Sequence, residues 1–265
     1  MNRIVFSDID GTLINSRKQI TPATLSAIRT LEEKGIPFVI SSGRGPTGIY
    51  PILEEYGIRC PMVAYSGSVI LDENRKVLFH RGIPKERVKE ILAFIEQEQL
   101  DMTWSLHSLE QWVVKDRTDP RVLEQEALVQ ARSEEGTADS IADPQINKIL
   151  CICAPGKLPE IQKRLSEAFP EYTVVASSGT LLDVMDASVT KGTAIHTLCK
   201  LWQVPVSGTI AFGDHYNDVD MLRTAGKGYL MANAPEALKQ QFPLHTLDND
   251  HDGIPHALKA LGILE

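Results

Sequence analysis

Asp8 and Asp10 stand two residues apart at the end of a short apolar run, Ile4-Val5-Phe6, and Gly11 and Thr12 follow at once. A run of this kind reads as a strand buried on both faces. Two carboxylates where such a strand gives way to its loop are costly unless a cation or other partners meet them. A hard divalent ion such as Mg2+ suits clustered carboxylate oxygens. Three further groups carry chemistry: Ser42-Gly43-Arg44 after a second apolar run, Lys191 opening a helix, and Gly213-Asp214 with Asn217-Asp218 after another run. Taken singly, each has a plainer role as a turn, a helix cap or a solvated lysine. Taken together they match phosphoryl transfer. A carboxylate can attack phosphorus, and Mg2+ held by carboxylates can neutralise the charge between them. A lysine and helix N-terminal amides can hold phosphoryl oxygens. A second carboxylate can protonate the leaving oxygen and then deprotonate water. Asp8 reaches the strand end first and is the candidate nucleophile; Asp10 is the candidate acid/base.

These groups are useful only if the chain brings them together. Thr21-Pro22 reads as an N-cap with proline at the first helical position, Leu25, Ile28 and Leu31 recur at helical spacing, and Gly35 closes the helix. Residues 36–41 and 61–65 are expected strands, with a helix of about ten residues between them ending near Tyr56-Gly57. Strand, helix, strand, helix, strand predicts a parallel α/β sheet. Residues 69–71 and 76–79 read as a hairpin. From Gly82-Ile83-Pro84 the rhythm changes. A helix over 85–99, strands over 102–106 and 111–114, a mostly helical 120–133, a loose 134–144, a strand over 146–154, a helix over 158–169 and a strand pair over 172–176 and 181–185 are expected. At Lys191 the first rhythm resumes, with a helix to Trp202, a strand over 209–212, a helix over 219–225, a strand over 228–231 and a C-terminal helix. The expected fold class is α/β: a doubly wound, Rossmann-like parallel sheet core over 1–82 and 187–265, with an inserted α+β cap over 83–186. In such a sheet the carboxyl ends of the strands share the edge where ligands bind, so the four groups converge.

The chain of 265 residues is 43% hydrophobic and 23% charged, as an ordinary globular protein is. Its formal charge of −8 argues against general affinity for nucleic acid or anionic membrane, so an anionic substrate needs local positive charge from a metal, Lys or Arg. No apolar run approaches the ~18 residues of a membrane span. The first residues enter a strand directly, so no signal peptide is expected. Cys60, Cys151, Cys153 and Cys199 suit a reduced cytoplasmic protein, with Cys151 and Cys153 on one face of a strand. Gly43-Arg44-Gly45-Pro46-Thr47-Gly48 fits a dinucleotide fingerprint, but no acidic residue ends the next strand to take a ribose hydroxyl. The expected partner is a small phosphate ester, bound by a monomer or small homo-oligomer, with no nucleic acid and no membrane.

Asp8-Ile9-Asp10-Gly11-Thr12, Ser42-Gly43-Arg44, Lys191-Gly192 and Gly213-Asp214-His215-Tyr216-Asn217-Asp218 resemble, in order, the four motifs of the haloacid dehalogenase superfamily. The insertion between the second and third is similar in length to a type IIB cap, and the whole chain most resembles Cof-type sugar-phosphate phosphatases. The resemblance implies a Mg2+-dependent phosphatase of small phosphorylated metabolites, such as sugar phosphates, working through an aspartyl-phosphate. It implies Asp8 as nucleophile and Asp10 as acid/base. It implies a metal on the Asp8 side chain, the Asp10 carbonyl and Asp214, and phosphate on Ser42, the Gly43 amide, Lys191 and Asn217. Asp218, Arg44 and Thr12 are candidates for supporting contacts. The chain departs from the family pattern in carrying Ser66-Gly67 where Asn-Gly is usual, and Ser42 where Thr is commoner. The serine keeps the hydroxyl. A phosphomutase or phosphotransferase on the same fold and a non-catalytic metabolite-binding module are the alternatives.

Overall fold

The structure is a computed structural model that describes residues 3–129 and 131–265; Met1, Asn2 and Gln130 lie outside the described residues. In chain order the elements are β1 (Ile4–Ser7), α1 (Pro22–Glu33), β2 (Phe38–Ser41), α2 (Pro46–Tyr56), β3 (Met62–Ala64), β4 (Val69–Leu71) and β5 (Val77–His80). Then come β6 (Ile83–Pro84), α3 (Lys85–Gln97), β7 (Met102–Ser108), β8 (Gln111–Val114), α4 (Pro120–Val129), β9 (Glu134–Glu135), β10 (Gln145–Ile146), β11 (Lys148–Cys153), α5 (Leu158–Ala168), β12 (Tyr172–Ala176) and β13 (Leu181–Asp186). The chain closes with α6 (Lys191–Trp202), β14 (Thr209–Gly213), α7 (Val219–Thr224), β15 (Lys227–Leu230), α8 (Glu236–Lys239) and α9 (Gly253–Ala260).

Two compact units result. The first comprises the described residues up to Arg44, with Ile49–Phe79 and Thr190–Glu265; the second comprises Gly45–Gly48 and His80–Val189. The changeovers fall slightly outside the expected crossings at 82/83 and 186/187, and the local bonding explains why. Arg81 Nη1 donates to Ser188 Oγ at 2.8 Å, the Gly82 N–H donates to Gln145 Oε1 at 2.7 Å, and β6 pairs with β10. These bonds hold residues 81–84 and 188 within the second unit.

Among the described residues the first unit holds a seven-stranded sheet in the order β15-β14-β1-β2-β3-β4-β5. The five strands from β15 to β3 are mutually parallel, and β4 runs antiparallel to β3. β1 is buried along its whole length. Alternate residues Ile4 and Phe6 join Val39, Val63, Ala211 and the α6 residues Ile195 and Leu198 in one apolar cluster. From β1 the chain adds β2 and β3 on one side and, after the insertion, β14 and β15 on the other. β1 and β14 therefore flank the point where the winding reverses, and ligands bind at the carboxyl ends of the strands there.

Local chemistry sets the elements that matter. Thr21 caps α1 by accepting the Thr24 N–H at 3.1 Å, with Pro22 behind it. Thr190 and Thr193 exchange side-chain to backbone bonds at 3.0 and 2.8 Å, a capping box that starts α6 at Lys191.

The second unit, among the described residues, holds a six-stranded sheet in the order β12-β13-β11-β7-β8-β9. α3 and α5 pack on one face of it through Val88, Ile91, Ile161 and Leu165. Cys151 and Cys153 share that face, as their spacing predicted, and burial pushes both thiols up. Two expectations needed correction. The stretch 134–144 is not loose throughout, since β9 and a 3-10 turn at Ala138–Ser140 form in it. The strand expected over 146–154 is broken at Asn147: Gln145–Ile146 pairs with β6, and Lys148–Cys153 pairs with β7 and β13. At the break the Asn147 backbone N–H donates to His107 O at 2.9 Å, and its side-chain Oδ1 accepts the Leu109 N–H at 2.8 Å.

Candidate active site

Asp8 lies one residue beyond β1, and its backbone N–H still donates to Phe212 O of β14 at 3.0 Å. Asp214 lies one residue beyond β14. Residues from these two adjacent strand ends therefore meet. The oxygens of Asp8, Asp214 and Asp218 lie within 4.8 Å of one another. Lys191, brought in by the first turn of α6, donates from Nζ to Asp8 Oδ1 and to Asp218 Oδ1, each at 2.6 Å. Asp8, Lys191 and Asp218 are 5%, 2% and 0% exposed, so this chain of two carboxylates and one ammonium is closed to water.

Asp218, Asp214 and the turn that carries Lys191 are each held by further hydrogen bonds. Asp218 Oδ2 accepts the backbone N–H groups of Asp214 at 3.0 Å and His215 at 3.1 Å, which folds the 213–218 loop around it. Thr12 Oγ1 donates to Asp214 Oδ1 at 3.0 Å. Asn233, just past β15, donates to Gly11 O at 2.8 Å and to Asp214 Oδ2 at 3.2 Å, tying the loop after β1 to the Asp214 carboxylate. Asp220 Oδ2 accepts the Gly192 N–H at 3.1 Å and the Thr190 hydroxyl, fixing the turn that carries Lys191. A Cβ at Gly192 would stand 2.2 Å from that oxygen.

The charges are unbalanced toward the acid. Burial, and then repulsion from Asp218, push the Asp8 carboxyl well above the ordinary carboxylate range, although Lys191 opposes them. Burial and Asp218 likewise push Asp214 up to about 6. Burial alone would depress Lys191, but Asp218 and Asp8 outweigh it and hold the ammonium above its ordinary value. Two raised carboxyls beside a third acid, with oxygens this close, are the donor set a divalent cation fits. Asp8 and Asp214 keep more lone pairs that could take it, since each of their bonded oxygens accepts one hydrogen bond, whereas Asp218 already accepts one from Lys191 and two from backbone amides.

Asp10 stands apart from this group. Arg44 grips its carboxylate with two bonds, Nε to Oδ2 and Nη2 to Oδ1, both at 2.8 Å, and Lys18 Nζ adds a third at 3.3 Å. Burial would raise Asp10, but the Arg44 bonds outweigh it and hold the carboxyl below its ordinary value. Ser42 is buried past the end of β2, its Oγ accepting the Arg44 N–H at 3.2 Å. Asn217 is exposed on the 3-10 turn Tyr216–Asp218. The structure thus joins Asp8, Lys191, Asp214, Asp218 and Thr12 in one bonded cluster, and joins Asp10, Arg44 and Ser42 in a second. Asn233, Asp220 and Lys18 were absent from the sequence-level candidates. Asn233 carried a usable signal, since it follows the carboxyl end of another parallel strand.

Gly11 is the hinge of the arrangement. Its φ of +79° is one that L side chains avoid, and a Cβ there would lie 2.3 Å from Asp214 Oδ2. Gly11→Ala is expected to lower stability by about 1–3 kcal/mol and to weaken divalent-cation binding roughly 10–100-fold. Urea unfolding and a cation titration followed by calorimetry check both.

Residues 5–258 match the family described as haloacid dehalogenase-like hydrolase. A Haemophilus influenzae relative is 33% identical over 262 residues, covering 96% of each chain. The phosphatase YwpJ of Bacillus subtilis is 31% identical over 285 residues, covering 98% of this chain and 99% of YwpJ. The solved structure of a haloacid dehalogenase-like hydrolase from B. subtilis superposes with a TM-score of 0.82 at 29% identity, covering 98% of this chain and 99% of that one. Among the described residues no helix is long and apolar enough to cross a membrane.

Proposed function

Because the chain belongs to the haloacid dehalogenase-like hydrolase family, we propose that it is a Mg2+-dependent phosphatase of small phosphate monoesters, acting through a phosphorylated Asp8. The observation that carries this reading is the buried Asp8–Lys191–Asp218 chain at the reversal point of the sheet, with Asp214 beside it. The name of YwpJ supports the same class. The Asp8 carboxylate attacks phosphorus, and its bond to phosphorus forms as the ester oxygen leaves. Lys191 already bonds to the attacking carboxylate, so its charge is in place for the phosphoryl oxygens without reorganisation. Ser42 and the Gly43 amide, at the next strand end, and Asn217 take the other oxygens.

Asp10 gives the leaving alkoxide its proton, then removes a proton from the water that attacks phosphorus and frees Asp8. The structure holds Asp10 in its ionised form, ready for the second of these steps. Proton delivery in the first step requires Arg44 and Lys18 to let go and Asp10 to take up a proton from water before the ester bond breaks. The Asp8 carboxylate, the Asp10 carbonyl and Asp214 would hold Mg2+. Bound there, the cation screens the repulsion between nucleophile and phosphate. The unit from His80 to Val189 serves as the substrate-selecting cap. Four buried free thiols accord with a reducing cytoplasm.

Phosphate release from p-nitrophenyl phosphate and a panel of metabolite esters, with Mg2+ and with chelator, tests the reading. Release only with Mg2+ supports it, and transfer to another acceptor without free phosphate replaces it by a phosphotransferase. Linkage gives a second check. Asp214 rises in the fold from 3.8 to about 6, so the metal-free fold favours its protonated form. That penalty is absent below pH 3.8, grows as pH rises, and is complete above about 6. Mg2+ replaces the proton, so its stabilisation should be negligible near pH 4 and full above pH 7. At about 100-fold excess over Kd it should reach ~2.7 kcal/mol. Thermal unfolding across pH, with and without Mg2+, measures it.

A further inference from the structure

Asn233 stands on the turn after β15, outside the groups that carry the chemistry, yet its side chain bonds to two of the segments that do. Its Nδ2 donates to Gly11 O at 2.8 Å and to Asp214 Oδ2 at 3.2 Å. The turn beneath it is anchored. The Met231 N–H donates to Gly213 O at the end of β14, and the Ala234 N–H donates to Met231 O, each at 3.0 Å. Met231 and Ala234 are buried, and Ala234 packs in the apolar cluster that holds Ile4 and Phe6 of β1. Asn233 itself is exposed, so its amide adds nothing to that packing. Its two bonds are what the side chain contributes.

Those bonds act on Asp214 and on the loop after β1 together. Thr12 Oγ1 holds the other Asp214 oxygen, Oδ1, at 3.0 Å. Each carboxylate oxygen thus accepts one donor, and turning the carboxylate about its Cβ–Cγ bond costs both. Gly11 stands directly against the same group, since a Cβ there would lie 2.3 Å from Asp214 Oδ2. Gly11 O, the acceptor of the second Asn233 bond, follows Asp10 by one peptide. One amide therefore fixes the Asp214 carboxylate relative to the Asp10–Gly11 backbone, and both are assigned above to the cation. Rigidity of this kind distinguishes ions. Mg2+ demands near-ideal octahedral geometry at about 2.0–2.1 Å, whereas Ca2+ adapts to a looser oxygen set at about 2.3–2.6 Å.

We propose that Asn233 is the positioning residue that sets this cluster for Mg2+ over larger divalent cations. It acts through Asp214 and Gly11 rather than as a ligand. Without it, Thr12 alone restrains the Asp214 carboxylate, and the oxygens can spread toward the spacing that Ca2+ accepts. The inference rests on the reading of the cluster as a Mg2+ site.

Calorimetric titration of Mg2+ and of Ca2+ into the chelator-stripped wild type, Asn233→Ala and Asn233→Leu tests it, with no turnover required. In Asn233→Ala the Kd for Mg2+ should rise about 10–100-fold, as loss of an outer hydrogen bond to a metal ligand does. The Kd for Ca2+ should rise clearly less, so the preference for Mg2+ shrinks. General damage to the fold weakens both ions alike, so an unchanged ratio overturns the proposal, as does an unchanged Kd for Mg2+. Asn233→Leu keeps the size of the side chain and loses only the donor, and it should shift both constants as Asn233→Ala does. Wild-type affinity for Mg2+ in Asn233→Leu overturns the proposal, because bulk and not the two bonds would then set the site. In the steady state, the Mg2+ concentration for half-maximal hydrolysis of p-nitrophenyl phosphate should rise by the same factor as the Kd. A wild type that binds Mg2+ beside an Asn233→Ala that binds it equally well defeats this inference and leaves the phosphatase reading standing. A wild type that binds no divalent cation defeats both.

Discussion

Asp8→Asn should lower kcat for phosphate release by on the order of 10⁴-fold or more, as removal of a covalent nucleophile does. The same change should leave the metal-free fold as stable as the wild type or more so. The sign follows from the carboxyl's surroundings. Burial and Asp218 raise the Asp8 carboxyl, so at neutral pH its ionised form is held against a gradient that the unfolded chain does not feel. An amide of the same shape removes that penalty, while Lys191 keeps Asp218 at 2.6 Å. Thermal unfolding without Mg2+ at pH 7.5 reads the stability, and a Tm well below wild type contradicts the electrostatic reading. With Mg2+ the order should reverse, because the variant has lost a cation ligand.

Lys191→Met carries the opposite signature, with loss of both activity and stability. The ammonium is the shared partner of two carboxylates that are 5% and 0% exposed. Removing it leaves them buried and facing each other, which costs about 3–5 kcal/mol. The penalty should be largest above pH 7 and fade as pH falls through the carboxylate range, when one acid takes up a proton. The double variant Lys191→Met/Asp218→Asn should recover most of the stability and none of the activity. Removal of the lysine should also lower kcat by roughly 10²–10³-fold, as loss of one preorganised donor does. Urea unfolding of the three proteins at pH 5 and pH 8 checks the first part, and steady-state rates check the second.

What the sequence made legible follows from where the chemistry sits. Asp8, Ser42 and Asp214 each end an apolar run, and Lys191 opens a helix after a threonine cap, so strand-end logic found them. Asp218 was legible as an acid in the same loop, but its place between Lys191 and two amides was not, because three distant segments supply that geometry. Asp220 was hidden for a related reason: it acts by hydrogen bonding to a turn about 30 residues away, and an aspartate is not unusual where it stands. Asn233 was legible only from its place after the carboxyl end of β15. Asp10 was read as acid/base from its spacing. Its pairing with Arg44, 34 residues on, appears only when β1 and β2 lie side by side. In the inserted unit, helix and strand positions were readable from periodicity, but the break at Asn147 was not, since it depends on His107 and Leu109.

The central claim is that Asp8 carries the phosphoryl group. Rapid mixing of the enzyme with excess p-nitrophenyl phosphate and Mg2+, quenched in acid within one turnover, tests it directly by mass spectrometry of the peptide that contains Asp8. The expected result is a burst of p-nitrophenol ahead of phosphate, with the mass of one phosphoryl group on Asp8, absent in Asp8→Asn and chased off by further incubation in water. Full turnover with no phosphorylated Asp8 at any time, or with the label on another residue, would contradict it.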